Sequence, residues 1–323
     1  SGTAQSPIWF VAEHWASLPS TPEGNYSDLR SGGSGAHQTN PAFGVSGGIQ
    51  YCNWVGFFTD GRDANNDDGE DTGHVSLWST AHSGIYYCRM IYDSTKIPIK
   101  PPGGSITNQS CLRLEGAPNC TVADCHFSGA TGATNAAGIL AYGSRNLLIE
   151  NCEFIDAQNC IQLKGGFSSD TPENPGGFIG LVIRFCKMTG GKPVRLHSTV
   201  ALTPEDTHRI YGNLIISSQN ICEQTSSNSG GLRDGGDVFY RVHFYNNTFQ
   251  DNANEGNLYI TTNLHAQGYV DKNSVWSNNV HARHNYVVRS YDTDLQGFDR
   301  TFTGGQWDRN ADRNNGAGIV DVV

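Results

Sequence analysis

Valine, isoleucine, phenylalanine and tyrosine alternate with polar residues over four or five positions along most of the chain, and a turn residue then intervenes. A period of two marks short strands with one buried face. The stretch IENCEFIDAQNCIQLKGG, at 149–166, holds two such runs broken by an Asn-Cys pair. Its opening recurs: an apolar residue, two more, Cys or Asn, one more, then a large residue. IQYCNW at 49, IYYCRM at 85, VADCHF at 122, IENCEF at 149 and IRFCKM at 183 fit it. So do IYGNLI at 210, FYNNTF at 244 and WSNNVH at 276, the last with His281 at its end.

The eight copies lie 27 to 37 residues apart. A fixed period of this size marks a solenoid, and the unit is too short and too rich in strand formers for paired helices. Another strand precedes most copies, as in HVSLWS at 74, CLRLEG at 111, GILAYG at 138, CIQLKG at 160 and PVRLHS at 193. Each turn therefore reads as three short strands, and successive turns stack as parallel sheets about 4.8 Å apart.

This pattern resembles the right-handed parallel β-helix of the pectate-lyase-like superfamily, on the repeat period and on the Asn or Cys at the bend in ENCEF and NNTF. It predicts an all-β solenoid of about eight turns over residues 42–291. Residues 1–41 precede it as a cap and irregular segment, and 292–323 follow as a polar tail or cap. Within 6–18, Ile8, Val11, Ala12, Trp15 and Leu18 share one helical face behind Ser6 and Pro7, which fits a helical cap. A strand over 8–12 fits as well.

Stacking turns identical positions into columns. Cys52, Cys88, Cys125, Cys152 and Cys186 should form one, continued by Asn213, Asn247 and Asn279. Parallel side-chain directions disfavour disulfides between turns, so free interior thiols are expected. The nine cysteines cannot all pair within the chain, and none shows zinc-finger spacing.

The composition fits this picture. Of 323 residues only 37% are hydrophobic and 16% charged, with 39 glycines, which suits many strands and tight turns. A net charge of −10 argues against a general nucleic-acid partner. No run is long enough to span a membrane. The chain opens on serine rather than methionine, which reads as a processed or trimmed product.

Alternation also identifies an outward surface. In CIQLKG, Ile161 and Leu163 point in while Gln162 and Lys164 point out. The first strand of each turn then presents two columns. One runs Ser76, Arg113, Leu140, Gln162, Arg195, Glu223, Tyr259; the other runs Trp78, Glu115, Tyr142, Lys164, His197, Thr225, Thr261. Long loops at 165–180, 198–207, 226–238 and 262–272 leave one edge of this surface and can wall a groove. Lys164, Arg195 and His197 are the candidate catalytic residues, because neighbouring cations lower a lysine's pKa toward that of a useful base. Trp78, Arg113, Glu115, Tyr142, Gln162, Glu223 and Tyr259 are the candidate substrate contacts.

The chemistry that fits is β-elimination on a uronate polysaccharide. Here the sequence is similar to polysaccharide lyase family six, the alginate lyases and chondroitinase B. The resemblance implies Lys164, in QLKGG, as base and Arg195, in VRLHS, as acid. The family's Lys-Ser and Arg-His-Gly are Lys-Gly and Arg-Leu-His here, and its calcium-ligating glutamates have no counterpart in FIDAQNCIQLK. His197 can neutralise charge where the family uses a metal.

No cofactor is required by this scheme. A structural Ca²⁺ is the one metal the sequence offers, in the acidic loop of Asp63, Asp67, Asp68, Glu70 and Asp71, where a plain solvated loop fits equally. The expected partner is an acidic polysaccharide met outside the cell, in secretions or on a cell or virion surface. The competing expectation is a non-catalytic structural, adhesive or tailspike-like coil that assembles as a trimer or fibre.

Overall fold

The computed structural model describes residues 2–12, 49–59, 80–91, 110–131, 136–164, 180–196, 208–217 and 242–250. It also describes short strands at 27–28, 43–45, 73–78, 222–224, 260–262, 275–277, 280–282, 306–308 and 311–312. Every named strand is paired in parallel, each with its counterpart one turn away. The chain is an all-β, three-sided parallel coil. Its first sheet holds the strands typified by Ala137–Tyr142, its second those typified by Leu148–Glu150, and its third those typified by His126–Ser128. The long strands Glu153–Lys164 and Lys187–Leu196 bend from the third sheet into the first and join the two.

Inward positions stack into the core as alternation requires. Leu112 and Leu114, Ile139 and Ala141, and Ile161 and Leu163 are fully buried on the first sheet. Ile85, Val122, Ile149, Ile183 and Ile210 do the same on the second. Met90, Phe127, Phe154 and Met188 fill the third, with the two phenylalanine rings stacked 5.0 Å apart. Burying a side chain of this kind stabilises the fold by about 1.5–3 kcal/mol.

Left-handed residues mark the three corners. Tyr51, His82, Asn119, Asn146 and Gly180 precede the second sheet; Gly56, Tyr87, Asp124, Asn151, Phe185, Gly212 and Asn246 follow it; Gly129, Asp156 and Gly190 lead back to the first. A positive φ turns the chain from one sheet into the next in a single residue, and its N–H still bonds to the next turn, as Asp124 N donates to the Glu150 carbonyl at 3.1 Å. For an L-residue this conformation costs about 1–2 kcal/mol, and a β-branched side chain fits it worst. Asp124→Val should therefore lower stability by about 1–2 kcal/mol although the side chain is exposed. A urea titration against Asp124→Asn, expected near neutral, isolates the backbone effect.

Beyond the second corner runs the interior column. Cys88, Cys125, Cys152 and Cys186 are buried free thiols, and each donates weakly to the carbonyl two residues back, as Cys152 does to Glu150 at 3.3 Å. Burial pushes the Cys120 thiol up to about 12 and raises that of Cys160, so these groups are inert. Asn213 and Asn247 continue the column in full hydrogen bonding. Asn213 Oδ1 accepts from Cys186 N at 2.9 Å, and its Nδ2 donates to the Ile183 carbonyl at 3.2 Å and to Asn247 Oδ1 at 2.9 Å. Asn279 lies outside the described residues.

Three expectations change. Cys52 is not in the column: the pairing of Trp54 with Ile85 and Phe58 with Arg89 puts Phe57 beside Cys88, behind the left-handed Gly56. Cys52 sits one corner earlier, where its N–H bonds Ser83 Oγ at 3.1 Å. Residues 8–11 are a strand, Ile8–Val11, paired with Cys52–Val55, rather than part of a helix; 13–18 lie outside the described residues. The stacking also passes 42–291 at both ends. Strand Gln306–Asp308 pairs with Val275–Ser277, and the second sheet holds ten strands among the described residues. No helix among the described residues is long and apolar enough to cross a membrane.

Candidate functional site

On the first sheet, outward positions form the two predicted columns. Backbone pairing aligns Ser76, Arg113, Leu140, Gln162, Arg195 and Glu223, and beside them Trp78, Glu115, Tyr142 and Lys164. The alignment departs from expectation one turn later, where Thr261 rather than Tyr259 pairs with Glu223. Tyr259 and His197 lie outside the described residues, as do the side chains of Trp78, Lys164 and Glu223. The acidic loop of Asp63, Asp67, Asp68, Glu70 and Asp71 lies outside them too, and no group of metal-ligating side chains occurs among those described.

The register brings Lys164 next to Tyr142 and diagonal to Arg195, since Gln162 pairs with Arg195 and Lys164 is two residues further on the same face. Diagonal neighbours of this kind stand roughly 8 Å apart, within reach of long side chains. Arg195 is half-buried. The bend that aims both strands is built from Asp156 and Gly190, where the pairing shifts by one residue between Ile155 and Ala157. That bulge turns each strand from the third sheet into the first.

An open surface was expected here, and much of it is closed. Glu115 is 1% exposed and Gln162 fully buried. Arg113 Nε donates to Glu115 Oε2 at 3.0 Å, and its guanidinium carbon lies 5.0 Å from the centre of the Tyr142 ring. Leu140, Ala137 and Tyr142 form an apolar cluster of their own outside the coil's core. The Arg113–Glu115 pair thus braces Tyr142 beside Lys164. A buried ion pair of this geometry holds position more than it adds stability.

A second constellation was overlooked in the sequence. On the outward face of the second sheet, Glu150, Arg184, Tyr211 and Tyr245 form one column. Arg184 Nε donates to Glu150 Oε2 at 2.7 Å and its Nη1 to the Tyr211 hydroxyl at 3.0 Å. The Tyr211 and Tyr245 rings stack 4.8 Å apart, and Phe185 meets Tyr211 edge-on. Each column residue directly precedes a corner residue, a signal legible in IRF, IYG and FYN.

Residues 110–293 match the family described as the right handed beta helix region. Among solved structures, an alginate lyase from a Paenibacillus species is similar at 10% identity, over 86% of this chain and 89% of that one, with a TM-score of 0.45. The A-module of the mannuronan C-5 epimerase AlgE4 from Azotobacter vinelandii is similar at 10% identity, over 95% and 86%, with a TM-score of 0.43. The Streptococcus pneumoniae surface protein and adhesin PfbA is similar at 11% identity, over 81% and 75%, with a TM-score of 0.34. No curated protein matches the chain in sequence.

Proposed function

The chain belongs to the right-handed β-helix family, and on that scaffold we propose an extracellular protein that cleaves an acidic, uronate-bearing polysaccharide by β-elimination on the first sheet. The observation that carries this reading is the register that sets Lys164 diagonal to Arg195 beside a braced Tyr142. In the proposed step a cation from Arg195 or His197 neutralises the uronate carboxylate, which acidifies the neighbouring C–H. Neutral Lys164 takes that proton, the electron pair forms the carbon–carbon double bond, and the bond to the glycosidic oxygen breaks. The leaving oxygen takes a proton from Arg195 or from water.

The test incubates the protein with alginate, pectate, chondroitin, hyaluronan and ulvan, and follows the ultraviolet absorbance of the unsaturated end that elimination creates. Lys164→Ala should cut the rate by about 10²–10⁴-fold on the responding polymer, as should Arg195→Ala, with unchanged melting temperatures. Absorbance that survives both substitutions would remove the site from the first sheet. The closed state of Glu115 and Gln162 favours a second reading, a non-catalytic glycan-holding, fibre or tailspike-like coil. No absorbance and no new reducing ends across the panel, with self-association by size exclusion, would favour that reading.

A further inference from the structure

We propose that the outward face of the second sheet, around Arg184, Phe185, Arg209, Tyr211 and Tyr245, is a second binding strip for an acidic polysaccharide chain, on a different side of the coil from Lys164 and Arg195. Phe185 is 53% exposed yet fixed in place. Its backbone is held at a left-handed corner, its ring packs edge-on against Tyr211 at 5.6 Å, and the Arg184 guanidinium lies 5.6 Å from its centre. With the Tyr211 and Tyr245 rings beside it, Phe185 belongs to a contiguous aromatic patch rather than standing as a lone exposed side chain.

The strip combines apolar rings with polar rims, as a sugar ring does. The stacked Tyr211 and Tyr245 rings lie nearly parallel, at 6°, along the coil axis. The Tyr211 hydroxyl accepts from Arg184, and the Tyr245 hydroxyl makes no hydrogen bond among the described residues, which leaves it available to a ligand. Arg209 points to the same side from the same strand as Tyr211, is exposed, and has no ion pair among the described residues.

Charge selects the ligand. On a chain of net charge −10, the described residues around Tyr211 place two arginines beside one acid, Glu150, which is already paired with Arg184; the next acid of the column, Asp308, stands two turns beyond Tyr245. The surplus is positive and local, which suits an anionic partner. A compact anion would be served by one arginine. These groups instead repeat over successive turns about 4.8 Å apart, which suits a linear polymer of anionic rings lying along the axis. The identity of that polymer with the substrate rests on the reading proposed above; the strip itself does not.

The experiment is retardation of the native protein in gels cast with alginate, pectate, chondroitin, hyaluronan or ulvan, beside a gel without polymer. The wild type should be retarded by at least one of them. Arg209→Glu and Tyr245→Ala should each weaken that retardation by about tenfold, while Lys187→Ala, which removes an exposed cation of the third sheet, leaves it intact. Elimination from a short oligosaccharide should survive Arg209→Glu. Wild type that runs freely in every gel overturns the strip, as does equal retardation of wild type and both strip variants. Retardation that depends on Arg209 with no elimination on any polymer upholds the strip and sinks the lyase reading instead. The Arg209 side chain makes no hydrogen bond or ion pair among the described residues, so its replacement separates lost binding from lost folding.

Discussion

Asn213→Leu should cost the fold about 2–4 kcal/mol, with a matching drop in urea midpoint, because it strands two buried backbone groups. The Asn213 side chain serves the N–H of Cys186 and the carbonyl of Ile183, and it links onward to Asn247. Leucine fills the space but can bond none of them, and each buried orphan costs about 1–3 kcal/mol. The same column supplies its own control. Earlier turns place cysteine here, and Cys125 Sγ accepts weakly from Cys88 N at 3.4 Å while donating to the Ala123 carbonyl at 3.2 Å. Asn213→Cys should therefore recover part of the loss. Equal midpoints for the leucine and cysteine variants would show that hydrogen bonding does not hold the column together.

Gly190→Val should be among the most damaging single changes on the described coil, abolishing soluble expression or costing more than about 4 kcal/mol. Gly190 has φ +144°, outside what an L side chain adopts, and a Cβ there would lie 2.8 Å from the Ala157 carbonyl oxygen. The obstructing atom is backbone on the neighbouring turn, so no rotamer change relieves it. The clash would push apart the two strands that carry Lys164 and Arg195. A milder Gly190→Ala protein that still folds should thus lose binding or cleavage before it loses its β-sheet circular dichroism signal. A valine variant with wild-type stability would mean that the bend between the third and first sheets is not fixed by this close approach.

The sequence disclosed most of the coil because its columns repeat chemistry at a fixed place. Ile161 and Leu163 inside, with Gln162 on the opposite face, followed from alternation alone. The frame slipped at the first copy, where Cys52 resembled a ladder cysteine while the true position holds Phe57 behind Gly56. The strand at Ile8–Val11 was ambiguous because Ile8, Val11 and Ala12 fit a helical face, and only pairing with Cys52–Val55 decides against it. Alternation says which way Glu115 and Gln162 point but not whether that side is open. Glu115 is buried in an ion pair with Arg113 two residues away, and Gln162 beside the buried Leu140 of the neighbouring turn, a state that alternation within one strand does not encode. For the same reason the tyrosine column of the second sheet was missed: Tyr211 and Tyr245 lie 34 residues apart and meet only when the turns stack.

The corner between the second and third sheets has a consequence for how such a chain can change over generations. From Gly56 to Asn246 it is always one left-handed residue followed by one interior side chain, and no turn inserts anything there. The other two corners absorb all the variation in repeat length. Mutational drift along this chain should therefore be lopsided, with insertions and deletions accumulating along two margins while the third stays a straight seam. New specificities can be grafted onto the margins without renegotiating the seam, and a duplicated turn can slip into the stack wherever both its neighbours offer the same seam to grip.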